Sequence, residues 1–99
     1  MPSNDDLSTN DDISNWLHLS RENNDPLAQY NLGVIYAEGI GVSKDYEVSI
    51  RWYMRSAEQG NAEAQSSLGR MYVEGKGVQQ SYVEAIKWFI SSAKQQDVH

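Results

Sequence analysis

Residues 30–42 read YNLGVIYAEGIGV, and 36 positions later residues 66–78 read SSLGRMYVEGKGV. Aligning residues 25–60 with 61–96 gives 15 identities in 36 positions, among them Leu32/Leu68, Gly33/Gly69, Tyr36/Tyr72, Gly39/Gly75, Gly41/Gly77, Tyr46/Tyr82, Trp52/Trp88 and Ser56/Ser92. A fixed period in this range marks stacked supersecondary units, because one such unit cannot bury its own apolar face and needs a copy of itself as a neighbour. A further 36 positions upstream, Trp52 maps onto Trp16 and Ser56 onto Ser20, so ISNWLHLSREN reads as the worn second half of an earlier unit.

Each full unit divides into two helices. Asp25 is suited to an N-cap and Pro26 to the first helical position, where a missing N–H costs nothing; Asn61 takes the capping place in the second unit. Ala28, Leu32 and Tyr36 then recur at four-residue spacing and share one face. Gly39 and Gly75 stop these helices, since glycine adopts the left-handed conformation at low cost. The spacing predicts second helices after Asp45 and Ser81, the latter with Glu84 in an S-x-x-E capping pattern. Their apolar stripes are Ile50, Tyr53, Met54 and Ala57, echoed by Ile86, Phe89, Ile90 and Ala93. Gly33 and Gly69 fall inside helices, where glycine costs about 1 kcal/mol against alanine. A large group must approach them, and Trp16, Trp52 and Trp88 are the expected interhelical partners.

These residues resemble the Sel1-like repeat, an αα unit related to the tetratricopeptide repeat. The pattern A-x-x-x-L-G-x-x-Y-x-x-G-x-G-V carries the resemblance, followed by D-Y or S-Y and then by an I-x-W-[YF]-x-x-[SA]-A segment. Ser49 departs from it at a position that is usually alanine, and Gln96 replaces the glycine seen at Gly60. The resemblance implies an all-α fold: a short right-handed αα solenoid of two Sel1-like repeats plus a degenerate N-terminal half-repeat. The expected organisation is a flexible acidic tail over 1–12, the half-repeat over 13–24, repeats over 25–60 and 61–96, and a short tail over 97–99.

Charge and composition exclude several functions. The net charge of −6 is concentrated in Asp5, Asp6, Asp11 and Asp12, whereas residues 25–96 hold eight acids against seven bases. No basic stripe exists to release counterions from nucleic acid. The opening MPSNDDLSTNDD has no basic stretch followed by an apolar one, so no secretory leader is expected. No apolar run reaches the length of a membrane span, and cysteine is absent, so a cytoplasmic protein is the expectation.

Reactive groups are sparse. His18 and His99 are the only histidines and form no ligand spacing, so no metal and no cofactor is expected. The glycine loops GIGV and GKGV follow helices rather than strands and lack the residues that complete a phosphate cradle. Glu38 and Glu74 recur beside those loops as repeated turn supports rather than an acid–base pair. The chain is therefore not expected to be an enzyme.

Function then belongs to surfaces. Tyr30, Val34 and Ala37 lie opposite the Ala28–Leu32–Tyr36 face, and two accounts of them are open. Either the half-unit with Trp16 and Leu19 covers them, or they line a concave groove for a protein partner, with Asn31, Ser67 and Arg70 as polar contacts. The segment IKWFI, residues 86–90, is the second candidate, again with two accounts open: either the last helix folds its whole apolar stripe onto its own unit, or some of Trp88, Phe89 and Ile90 stay uncovered and invite a partner helix or a homodimer. Arg51 and Arg55 read as a solvated face supported by Glu47. The leading expectation is a non-catalytic interaction module, an adaptor or scaffold. Resemblance to the family also motivates an immunity protein that neutralises a bacterial toxin, and the open helix motivates a self-assembling homo-oligomer.

Overall fold

The computed structural model describes residue 14, residues 17 and 18, and residues 24–96. The expected tails over 1–12 and 97–99, together with Trp16, Leu19, Ser20 and His99, lie outside the described residues. Four longer helices follow in order: α1 (Pro26–Glu38), α2 (Tyr46–Glu58), α3 (Ala62–Glu74) and α4 (Tyr82–Gln96), with no strand among the described residues.

Local chemistry accounts for the helix boundaries. The Asp25 carboxylate accepts from the Leu27 and Ala28 amides at 2.9 and 3.4 Å. Asp45 accepts from Val48 at 3.1 Å, Asn61 from Ala64 at 2.9 Å and the Ser81 hydroxyl from Glu84 at 3.2 Å. Each cap satisfies an amide that has no intrahelical partner. Gly39 and Gly75 end α1 and α3 in the left-handed conformation, at φ 71° and 68°. Both loops then return to the same place, Asp45 N–H donating to the Tyr36 carbonyl at 2.8 Å and Ser81 N–H to that of Tyr72 at 3.0 Å.

Helices α1 and α2 form one hairpin and α3 and α4 the next, with α3 laid on α2 to join them. The main core sits at that junction: Ile50, Tyr53 and Ala57 of α2 meet Ala64, Leu68 and Met71 of α3, and Tyr30, Val34, Ala37 and Trp88 close the edges. A second cluster of Leu32, Ile35 and Trp52 lies within the first hairpin, with Leu17 of the half-repeat packed against it. The half-repeat thus touches the Leu32 side of α1, while Tyr30 and Val34 belong to the junction with the next unit.

Buried hydroxyls tie each hairpin in the same way. Ser56 donates to the Pro26 carbonyl at 2.7 Å and Ser92 to that of Ala62 at 2.9 Å. Ser49, fully buried, donates to the Gly33 carbonyl at 2.6 Å. Its counterpart Ala85 has no hydroxyl, so that bond is confined to the first unit.

The large groups over the interior glycines are Tyr53 and Phe89, which corrects the expectation of tryptophan. A Cβ on Gly33 would enter the Tyr53 ring, and one on Gly69 would lie 2.6 Å from Phe89. Trp52 instead faces Leu32 and Ile35, where its wider indole fills the space between the two helices of a hairpin.

Candidate partner-binding surfaces

Where α1, α2 and α3 meet, an open groove of about 210 Å³ is lined by residues including Glu38, Tyr46, Tyr53, Ser67, Arg70 and Lys76. Tyr30 borders the same junction, its ring centroid 5.7 Å from that of Tyr53 with the planes tilted by 41°. Arg70 Nη2 donates to the Ser67 hydroxyl at 3.4 Å. Arg70 is exposed, and no described carboxylate lies within ion-pairing distance of it.

Electrostatics keeps both phenols neutral. Burial pushes the Tyr53 hydroxyl up to about 12; the neighbouring Tyr30 adds to the rise, while Ser67, Ser49 and Arg70 oppose it. Tyr30 is raised too, first by burial and then by Glu63, with Arg70 and Ser67 acting against. At neutral pH the groove therefore presents hydroxyl donors and a guanidinium. With both phenol values raised, neither hydroxyl is poised to exchange a proton at neutral pH. Among the described residues no three of His, Asp and Glu converge as a metal ion would require.

Of the residues expected to contact a partner, Tyr30, Ser67 and Arg70 come together here. Val34 is half-buried and turned to the core beside them. Asn31 is half-buried on α1 and is not part of the groove lining. Trp88 is half-buried against the inter-repeat core, away from the open side of α4. Sequence reasoning missed Tyr53 as the floor of the groove, having assigned it only to the core stripe. It also missed Tyr46, whose ring is approached by two ammonium groups, Lys44 Nζ at 5.7 Å and Lys76 Nζ at 5.4 Å from its centroid. The recurrence of tyrosine at 46 and 82 was the available signal. Arg55 stacks over Trp52 at 4.8 Å, and Glu47 makes no ion pair with Arg51, so the expected Glu47 support is absent.

The second surface is the outward side of α4. Tyr82, Val83, Ile86, Phe89 and Ile90 are all exposed there, Ile86 by 56% and Ile90 by 50%. None of the described helices is long and apolar enough to cross a membrane.

Two capped αα hairpins in 36-residue register, stacked through a shared core, define an αα solenoid of the tetratricopeptide type. The Sel1 repeat model matches residues 26–61 and 62–97, and the chain belongs to the Sel1 repeat family. A Sel1 repeat protein from Oxalobacter formigenes is similar in structure, with a TM-score of 0.75 and 41% identity over 80% of this chain and 33% of that one. So is c5321, a protective antigen present in uropathogenic Escherichia coli strains that displays an SLR fold, with a TM-score of 0.77 and 39% identity over 83% of this chain and 18% of that one. The chain thus spans a third or less of the length of these relatives. Among curated proteins none matches it. Sel1 repeat proteins are generally protein-interaction modules and typically non-catalytic scaffolds.

Proposed function

We propose that the chain is a non-catalytic adaptor that holds a protein partner in the groove between α1 and α3. The observation that carries this reading is the convergence of Tyr30, Tyr53 and Ser67 on Arg70, a guanidinium exposed with no described carboxylate to satisfy it. Tyrosine and arginine are enriched among the few residues that dominate binding energy at interfaces, and the planar fork of arginine loses less freedom per hydrogen bond formed. Arg70 suits a carboxylate or a backbone carbonyl on the partner, and Tyr30 offers an apolar face beside it.

Affinity capture from the native lysate, followed by measurement with the captured partner, tests this. Tyr30→Ala with Arg70→Ala should weaken binding about tenfold or more while the helical circular dichroism is unchanged. Unchanged affinity in a folded double variant places the partner elsewhere and overturns the groove.

A further inference from the structure

Val48, Arg51, Trp52 and Arg55 share the side of α2 opposite the Ile50–Tyr53–Ala57 stripe, and they line an open pocket of about 210 Å³. Its charges are unbalanced. Arg51 and Arg55 are both exposed and one turn apart, a spacing that sets their Cβ atoms roughly 5–6 Å from each other. Glu47 and Glu58 are the nearest acids along the helix, yet neither pairs with them, and no other described carboxylate does. Like charges at this spacing destabilise a helix, and an anion placed between them reverses the sign.

One of the two cations is already held in place. The Arg55 guanidinium lies over the Trp52 ring at 4.8 Å, and Trp52 is itself only 8% exposed, packed against Leu32 and Ile35. Stacking leaves the edge donors of the planar fork open and removes side-chain freedom that binding would otherwise cost.

The second unit supplies an internal control. Its residues at the same positions are Glu84, Lys87, Trp88 and Ser91. There the charge is answered from within, Lys87 Nζ lying 3.5 Å from Glu84, and Ser91 donates to the Lys87 carbonyl at 3.1 Å. The Lys87 side chain is nevertheless 67% exposed with the whole first unit beside it. The position is therefore open because of its place on the hairpin. What sets α2 apart is its chemistry: valine replaces the internal carboxylate, and two guanidiniums stand where α4 has one ammonium and a hydroxyl.

We propose that this side of α2 is a phosphomonoester site that takes a phosphorylated serine or threonine side chain of a protein partner, Arg51 and Arg55 donating to the phosphate oxygens and Trp52 holding Arg55. A carboxylate has two oxygens and saturates one fork, whereas a phosphomonoester carries close to two charges and three acceptor oxygens, enough for both. Other sources of phosphate fit less well. The chain has a net charge of −6, which repels anionic lipid surfaces and nucleic acid. A nucleotide base would need an open ring to stack on, and the indole is covered.

This site is independent of the groove between α1 and α3, and the experiment separates them. The probe is a blocked glycine–alanine peptide with one central phosphoserine. Titrated into the intact chain, it should shift the Trp52 indole N–H and the Arg51 and Arg55 side-chain resonances in a saturable way. The same peptide with serine should give no shift, and with glutamate it should bind at least about tenfold more weakly. Arg51→Lys with Arg55→Lys keeps the charge and loses the forks; binding should fall at least about tenfold with helical circular dichroism unchanged. Tyr30→Ala with Arg70→Ala should bind the peptide like the parent. Absence of binding, shifts centred on Arg70, or equal binding by the glutamate peptide or the lysine variant overturns the phosphate site. So does a pocket that takes the peptide only after Asp11→Asn and Asp12→Asn, since the arginines then serve the acidic segment of this chain.

Discussion

Gly33 and Gly69 hold the same place in their units, yet the rings above them have different freedom. Tyr53 is 5% exposed and pinned between α1 and α3, whereas Phe89 is 37% exposed and can swing toward solvent. An added methyl group at Gly33 forces overpacking, which costs about 1–3 kcal/mol, against about 1 kcal/mol gained from helix propensity. Gly33→Ala should therefore lower stability by up to about 2 kcal/mol, while Gly69→Ala stays near neutral. Urea midpoints at constant slope measure both, and equal losses would show that the exposure of the ring does not govern the cost. Tyr53 also sets a limit at high pH. Its folded-state value of about 12 lies above the ordinary 10.0, so the neutral phenol is the form the fold selects. Its contribution is complete below pH 10 and is lost as pH climbs toward 12. Tyr53→Phe, which places at 53 the residue found at 89, should flatten that part of the alkaline stability profile while preserving the packing over Gly33. A variant with the same alkaline slope as the parent would assign the effect to other groups.

At the scale of the helices, what was legible in the sequence was local. The four capping side chains, the left-handed glycines and the loop lengths depend on neighbours within a few residues, so Asp25, Asp45, Asn61 and Ser81 could be assigned from pattern alone. What failed or stayed open depended on how one helix meets the next. Tyr30 and Val34 oppose the Leu32 face on a helical wheel, but the wheel does not say that α3 approaches from their side and the half-repeat from the other. Tryptophan was expected over Gly33 by size, whereas the crossing of α1 and α2 puts Tyr53 there and sends Trp52 to Leu32. The buried serines show the same limit. The identity of Ser56 and Ser92 was visible, but their bonds to carbonyls 30 residues earlier exist only once the hairpin has closed.

For the whole molecule, the repeat makes residues chemically equal and their surroundings unequal. Ile50 and Ile86 are the same residue at the same position of the unit, 7% and 56% exposed respectively. In a stacked array stability is a sum of unit terms and interface terms, and only Ile50 lies in an interface formed among the described helices. Ile50→Asp buries an unpaired carboxylate between α2 and α3, a change in the class that costs more than about 4 kcal/mol and removes the surface on which the second hairpin rests. Ile86→Asp puts the same group into water and should change stability by no more than about 0.5 kcal/mol. Thermal unfolding of the two variants side by side reads the contrast, and a large loss from Ile86→Asp would mean that the outer face of α4 is covered in solution.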